Sequence, residues 1–108
     1  MPSLTLKQIE ILISQLARDK GFGSRLSEIN VLEKIALIHS EISEALEAYR
    51  LKKLKGKDGF GEELADAVIR ILHLAGVCKI DLEEEIIKKL ESNKNRKWKW
   101  NDYNETHS

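Results

Sequence analysis

Residues 31 to 53 read VLEKIALIHSEISEALEAYRLKK, and this run decides the fold. Its apolar residues recur at three- and four-residue steps and never alternate over a strand's length, the spacing of a helix with one buried face. Asn30 with Glu33 supplies a capping signal at its start. Its far end carries Arg50, Lys52 and Lys53, the sign that suits the negative end of a helix dipole, before Gly56 and the Asp58-Gly59 turn break the pattern. Upstream, Thr5 with Gln8 forms a capping box opening a helix that places Leu6, Ile9, Ile13 and Leu16 on one stripe and runs to about Lys20, where Gly21 and Gly23 end it. Downstream, a third helix is expected from Gly61 to Lys79, and Asp81 with Glu84 caps a fourth that continues to about Asn95. The only proline is Pro2. The expectation is an all-α chain folded as a four-helix bundle.

A chain of 108 residues fits one domain, read here as residues 1–96 with a polar tail over 97–108 that holds Trp98, Trp100 and Tyr103. Such a domain buries a modest core and encloses no deep pocket, so substrate is expected between subunits of a homodimer or homotetramer. Apolar residues around much of the circumference of the first three helices point the same way. Eighteen basic and eighteen acidic residues cancel, which argues against a general nucleic-acid or membrane-surface binder. The charge is uneven, however. From Glu28 to Glu47 five glutamates face Lys34 alone, and from Ile86 to Trp100 six Lys or Arg face Glu91 alone. Cys78 is the only cysteine, so the chain forms no disulfide within itself and no thiolate metal site. With no secretory start and no membrane-length apolar run, a cytoplasmic protein is expected.

Glu41 and Glu44 stand three residues apart on the second helix, about 60° around the axis and about 4.5 Å along it, close enough to share a ligand. Glu63 and Asp66 repeat the spacing on the third helix. Acid pairs at this spacing usually face solvent, and Glu44/Glu47 and Asp81/Glu84 show it as well. Context distinguishes the first two pairs: Glu41 lies between Ile38 and Ile42, and Asp66 is followed at once by Ala67, Val68 and Ile69, so both pairs border packing faces. Four such carboxylates side by side call for a compensating cation, and oxygen-only donors point to magnesium, with manganese as the alternative.

The segments IHSEISEALE (38–47) and EELAD (62–66) resemble the paired ExxE and ExxD motifs of MazG-like nucleotide pyrophosphohydrolases. The likeness continues through Ile80-Asp81-Leu82 into KKLESNKNR (88–96), which is similar to that family's final helix. The resemblance implies an all-α, magnesium-dependent enzyme splitting a nucleoside triphosphate into the monophosphate and pyrophosphate. It implies Glu41, Glu44, Glu63 and Asp66 as metal ligands and catalytic residues, and Lys89, Asn93 and Arg96 as substrate contacts. Many members carry Glu where this chain has Ser40, which leaves the number of metals open.

Other residues admit two readings. Lys89, Asn93 and Arg96 share one helix face but equally suit a solvated, dipole-favoured helix end. Arg70, one turn beyond Asp66, fits an ion pair with the cluster or a contact to phosphate. His39 and His73 read as ordinary bundle histidines. The alternatives to a triphosphate pyrophosphohydrolase are a bundle that binds a nucleotide or partner without turnover, and a phosphoribosyl-ATP pyrophosphohydrolase.

Overall fold

A computed structural model of the chain describes residues 3–95. Arg96 and the tail with Trp98 and Trp100 lie outside them. The described residues form four α-helices and no strand: α1 Leu6–Lys20, α2 Val31–Arg50, α3 Phe60–Val77 and α4 Leu82–Lys94, with a 3-10 turn at Leu26–Glu28 between the first two. No helix among them is long and apolar enough to cross a membrane.

Each expected cap is present, because capping depends on neighbours three residues away. Gln8 N–H donates to Thr5 Oγ1 (3.1 Å) and Thr5 N–H donates to Gln8 Oε1 (2.8 Å), a reciprocal box. Glu33 N–H donates to Asn30 Oδ1 (3.2 Å) and Glu84 N–H to Asp81 Oδ1 (3.1 Å). Two helix ends fall short of their expected positions. Helix α2 stops at Arg50, since Lys52 turns left-handed at φ 60° and Lys53 N–H folds back to Ala48 O (2.9 Å). Lys52 and Lys53 therefore belong to the turn, and only Arg50 faces the dipole from the last helical turn. Helix α3 ends at Val77 in a similar way, with Lys79 at φ 57° and Ile80 N–H donating to Ala75 O (2.8 Å).

The turn after α2 is closed by Phe60 N–H to Lys53 O (2.8 Å). Gly59 is required there, since a Cβ would lie 2.7 Å from Lys55 O. This sends α3 back along α2. Tyr49 meets Phe60 edge to face at 5.3 Å, Glu44 meets Glu63, and Glu41 meets Arg70. These pairs step backward along α2 as they step forward along α3, the register of antiparallel neighbours.

Helices α2 and α3 pack most extensively, α1 lies against α3, and α4 touches α1 over a short length. The interior is made mainly of small side chains: Ala17, Ala45, Ala48, Ala67 and Ala75 are buried with Val77, and Leu72 is the large side chain fully enclosed. Small residues let helix axes approach closely. Gly76 of α3 shows how closely, since a Cβ there would come within 2.5 Å of Ser14 Oγ on α1. Helix α4 buries no residue of its own and is tethered at its start, where Lys7 Nζ pairs with Asp81 Oδ2 (3.1 Å).

Candidate metal centre

The antiparallel register carries the Glu41/Glu44 pair of α2 to the first turn of α3, where Glu63 stands. One carboxylate oxygen from each of Glu41, Glu44 and Glu63 lies within 4.8 Å of the others. Glu41 (9 % exposed) and Glu63 (6 %) are buried, while Glu44 faces solvent at the rim. Oε2 of Glu41 and Oε2 of Glu63 are both buried with no hydrogen-bond partner. Buried carboxylate oxygens are nearly always satisfied, because stripping their hydration uncompensated is costly. With Glu44 beside them, these two oxygens could hold a cation.

Electrostatics agree. Burial first, then a hydrogen bond to Glu44, then the charges of Glu44, Asp66 and Glu41 push the Glu63 carboxyl up to about 7. Without a cation, the crowded Glu63 and Glu44 pair retains a proton more readily than a lone carboxyl does. A divalent ion would replace that proton, and three hard oxygen donors suit magnesium or manganese, which complete their shells with water and substrate oxygens.

Asp66 stands one turn beyond Glu63, half-buried, outside the converging trio. It lines a cleft of about 470 Å³ beside the cluster. Glu41, Asp66, Lys34 and Arg70 are among the polar residues lining this cleft, and Ile13, Leu16, Phe22 and Ile69 among the apolar ones. Arg70 Nε donates to Glu41 Oε1 at 2.9 Å, resolving its two readings toward the ion pair with the cluster. His73 Nε2 bonds to Gly23 O (2.8 Å), an ordinary tie between α3 and the loop after α1. Ser40 donates to Ala36 O (3.2 Å) within its own helix.

No family model, curated protein or solved structure matches the chain. The pyrophosphohydrolase resemblance accordingly rests on the motifs and on what the fold does with them: the fold brings Glu41, Glu44 and Glu63 together. It does not bring the α4 row to them within one chain, since Lys89 is exposed, Asn93 half-buried, and no residue lining the cleft belongs to α4. Arg96 lies outside the described residues. Lys34 is the cleft residue the sequence reading passed over. The signal was its spacing, two turns before Glu41 on the same helix face.

Proposed function

We propose that the chain is a divalent-metal-dependent nucleoside triphosphate pyrophosphohydrolase, releasing pyrophosphate and leaving the monophosphate. The observation that carries this reading is the pair of unpartnered buried oxygens on Glu41 and Glu63, with Glu41 also lining a cleft that holds two cationic side chains. The family likeness of the two acid motifs names the reaction. A bound magnesium would neutralise phosphate oxygens and lower the pKa of a water. Glu41, Glu44 and Glu63 would hold it. Lys34 offers an ammonium to the remaining phosphate charge, beside the Lys89, Asn93 and Arg96 contacts that the family likeness implies. The apolar wall of Leu16, Phe22 and Ile69 takes the base and keeps bulk water from the reacting phosphorus. Asp66, on the cleft side of the trio, is the fourth carboxylate of the reaction.

The test is magnesium-dependent pyrophosphate release from each common ribo- and deoxyribonucleoside triphosphate, with phosphoribosyl-ATP as a further substrate. Release from a triphosphate is expected, and Asp66→Asn should lower it by about a hundredfold or more, the scale on which a misplaced reacting group is felt. The same variant's heat stability with and without magnesium then assigns Asp66's role. A lost magnesium increment marks a ligand, and a retained one marks a carboxylate that holds the water. Nucleotide binding with no turnover of any substrate would leave a binding bundle instead.

The proposal includes a homodimer. Ile42, Leu46 and Tyr49 on α2 and Leu64, Val68 and Ile71 on α3 recur at steps of four and three, one face per helix, and all are exposed in the single chain, Leu46 by 59 % and Val68 by 48 %. Two adjoining apolar stripes of this length are rarely left to water on a soluble chain, and a self-complementary two-fold contact is the commonest cover. Light scattering should give the mass of a dimer, and Leu46→Asp should shift it toward that of a monomer. A wild-type monomer at micromolar concentration would remove this part of the proposal.

A further inference from the structure

We propose that Arg70 is a positioning residue for the metal centre: it holds one oxygen of Glu41 so that the other stays free for a cation shared with Glu44 and Glu63. The inference rests on the reading of that trio as a divalent-cation site. Three observations carry it. Arg70 Nε donates to Glu41 Oε1 at 2.9 Å, while Glu41 Oε2 is buried and unpartnered. The carboxylate is thus divided, one oxygen spoken for and one open. Second, Arg70 follows Glu63 by seven residues and Asp66 by four, so the three line one face of α3 and the guanidinium meets Glu41 from the helix that also supplies Glu63. Third, the Arg70 side chain is 41 % exposed while Glu41 is buried, so the arginine reaches in from the solvent side to hold a carboxylate that is itself enclosed.

The physical reason for an arginine is directional. A planar guanidinium fixes the line of its Nε–H, and through it the plane of the carboxylate it binds, whereas an ammonium on a flexible stem fixes neither. A ligand oriented before the cation arrives loses less freedom on binding, and removing a hydrogen-bond partner of a metal ligand typically costs about 10- to 100-fold in affinity. Charge acts in the opposite direction. A fixed cation beside the site repels an incoming one, so if Arg70 were only a neighbouring charge, its removal would tighten metal binding. The two roles predict opposite signs.

The experiment is manganese binding to the full chain without nucleotide, read from the paramagnetic signal of free Mn2+, for the wild type, Arg70→Met and Arg70→Lys, together with the melting temperature of each metal-free protein. Positioning predicts saturable binding by the wild type, affinity about 10- to 100-fold weaker in Arg70→Met, a smaller loss in Arg70→Lys, and losses that do not scale with each variant's change in metal-free melting temperature. Unchanged or tighter binding in Arg70→Met overturns the inference, as does a fall in affinity that merely tracks a fall in melting temperature. If Arg70→Met does not fold, Arg70→Lys decides: wild-type affinity there overturns the inference, and weaker affinity at wild-type stability supports it. A wild type that binds no manganese is a different failure, since it removes the metal centre itself.

Discussion

Replacing Glu63 by glutamine is expected to abolish magnesium-dependent pyrophosphate release while leaving the metal-free chain no less stable to heat than the wild type. The two halves come from the same crowding. Glu63 is buried against Glu44, with Asp66 and Glu41 adding like charge, and its carboxyl is held up to about 7. Glutamine keeps the shape, removes a charge from a place that disfavours it, and its amide can donate to Glu44 as the protonated acid does. What it cannot do is serve as an anionic ligand. For the wild type, magnesium at a hundredfold excess over Kd should add about 2.7 kcal/mol, which in a domain of this size is on the order of 10 to 20 °C in melting temperature. Most of that increment should vanish in Glu63→Gln, and hydrolysis with it. Paired thermal melts with magnesium or chelator, beside the pyrophosphate assay, give both readouts. An unchanged magnesium response together with unchanged hydrolysis would mean that the acid cluster is only a solvated helix face.

The second large effect is a fall of metal-free stability with pH over the range in which the magnesium increment rises. In the metal-free chain Glu63 has its carboxyl raised from the ordinary 4.5 to about 7, so between those values the folded state holds a proton that the unfolded state has released. Its contribution to stability is therefore fully present below 4.5 and is lost as pH rises through about 7. Metal binding runs the other way, because the cation displaces that proton. Below about pH 7 the magnesium affinity should rise about tenfold per pH unit and then level off. Melting temperatures across pH 5.5 to 8.5 should fall for the chelated protein and rise for the magnesium-loaded one relative to it, and Glu63→Gln should flatten both trends. A magnesium increment that stays constant across this range would show that no proton leaves Glu63 when metal binds.

Much of this architecture is legible in the sequence because its causes are local. Thr5, Asn30 and Asp81 each start a helix by bonding three residues ahead, and the pairing of Glu41 with Glu44 follows from helical pitch alone. That Glu63 joins them needs only a short turn returning α3 along α2. The ends of α2 and α3 were less legible, since the left-handed residues are Lys52 and Lys79 rather than glycine, and nothing in a lysine announces that conformation. The tertiary details were legible only as alternatives. Arg70 sits 29 residues from Glu41, so its partner depends on helix register. The α4 row of Lys89 and Asn93 reads as substrate-binding from its residues, yet its place is set by how α4 leans on α1 through Lys7 and Asp81.

The alanine-built interior has one more implication, for how the chain comes to be folded. Alanines lose no rotamer freedom when enclosed, but each removes little apolar area from water, so an interior of this kind, with Leu72 the one large side chain fully enclosed among the described residues, gives the isolated protomer a thin margin. The larger aliphatic groups, Leu46 and Val68 among them, are exposed in the single chain, and in the proposed homodimer a second copy would cover them. Folding and pairing would then be one equilibrium governed by mass action. Dilution alone should lower the melting temperature, and the cell's concentration of this chain would set how much of it is folded.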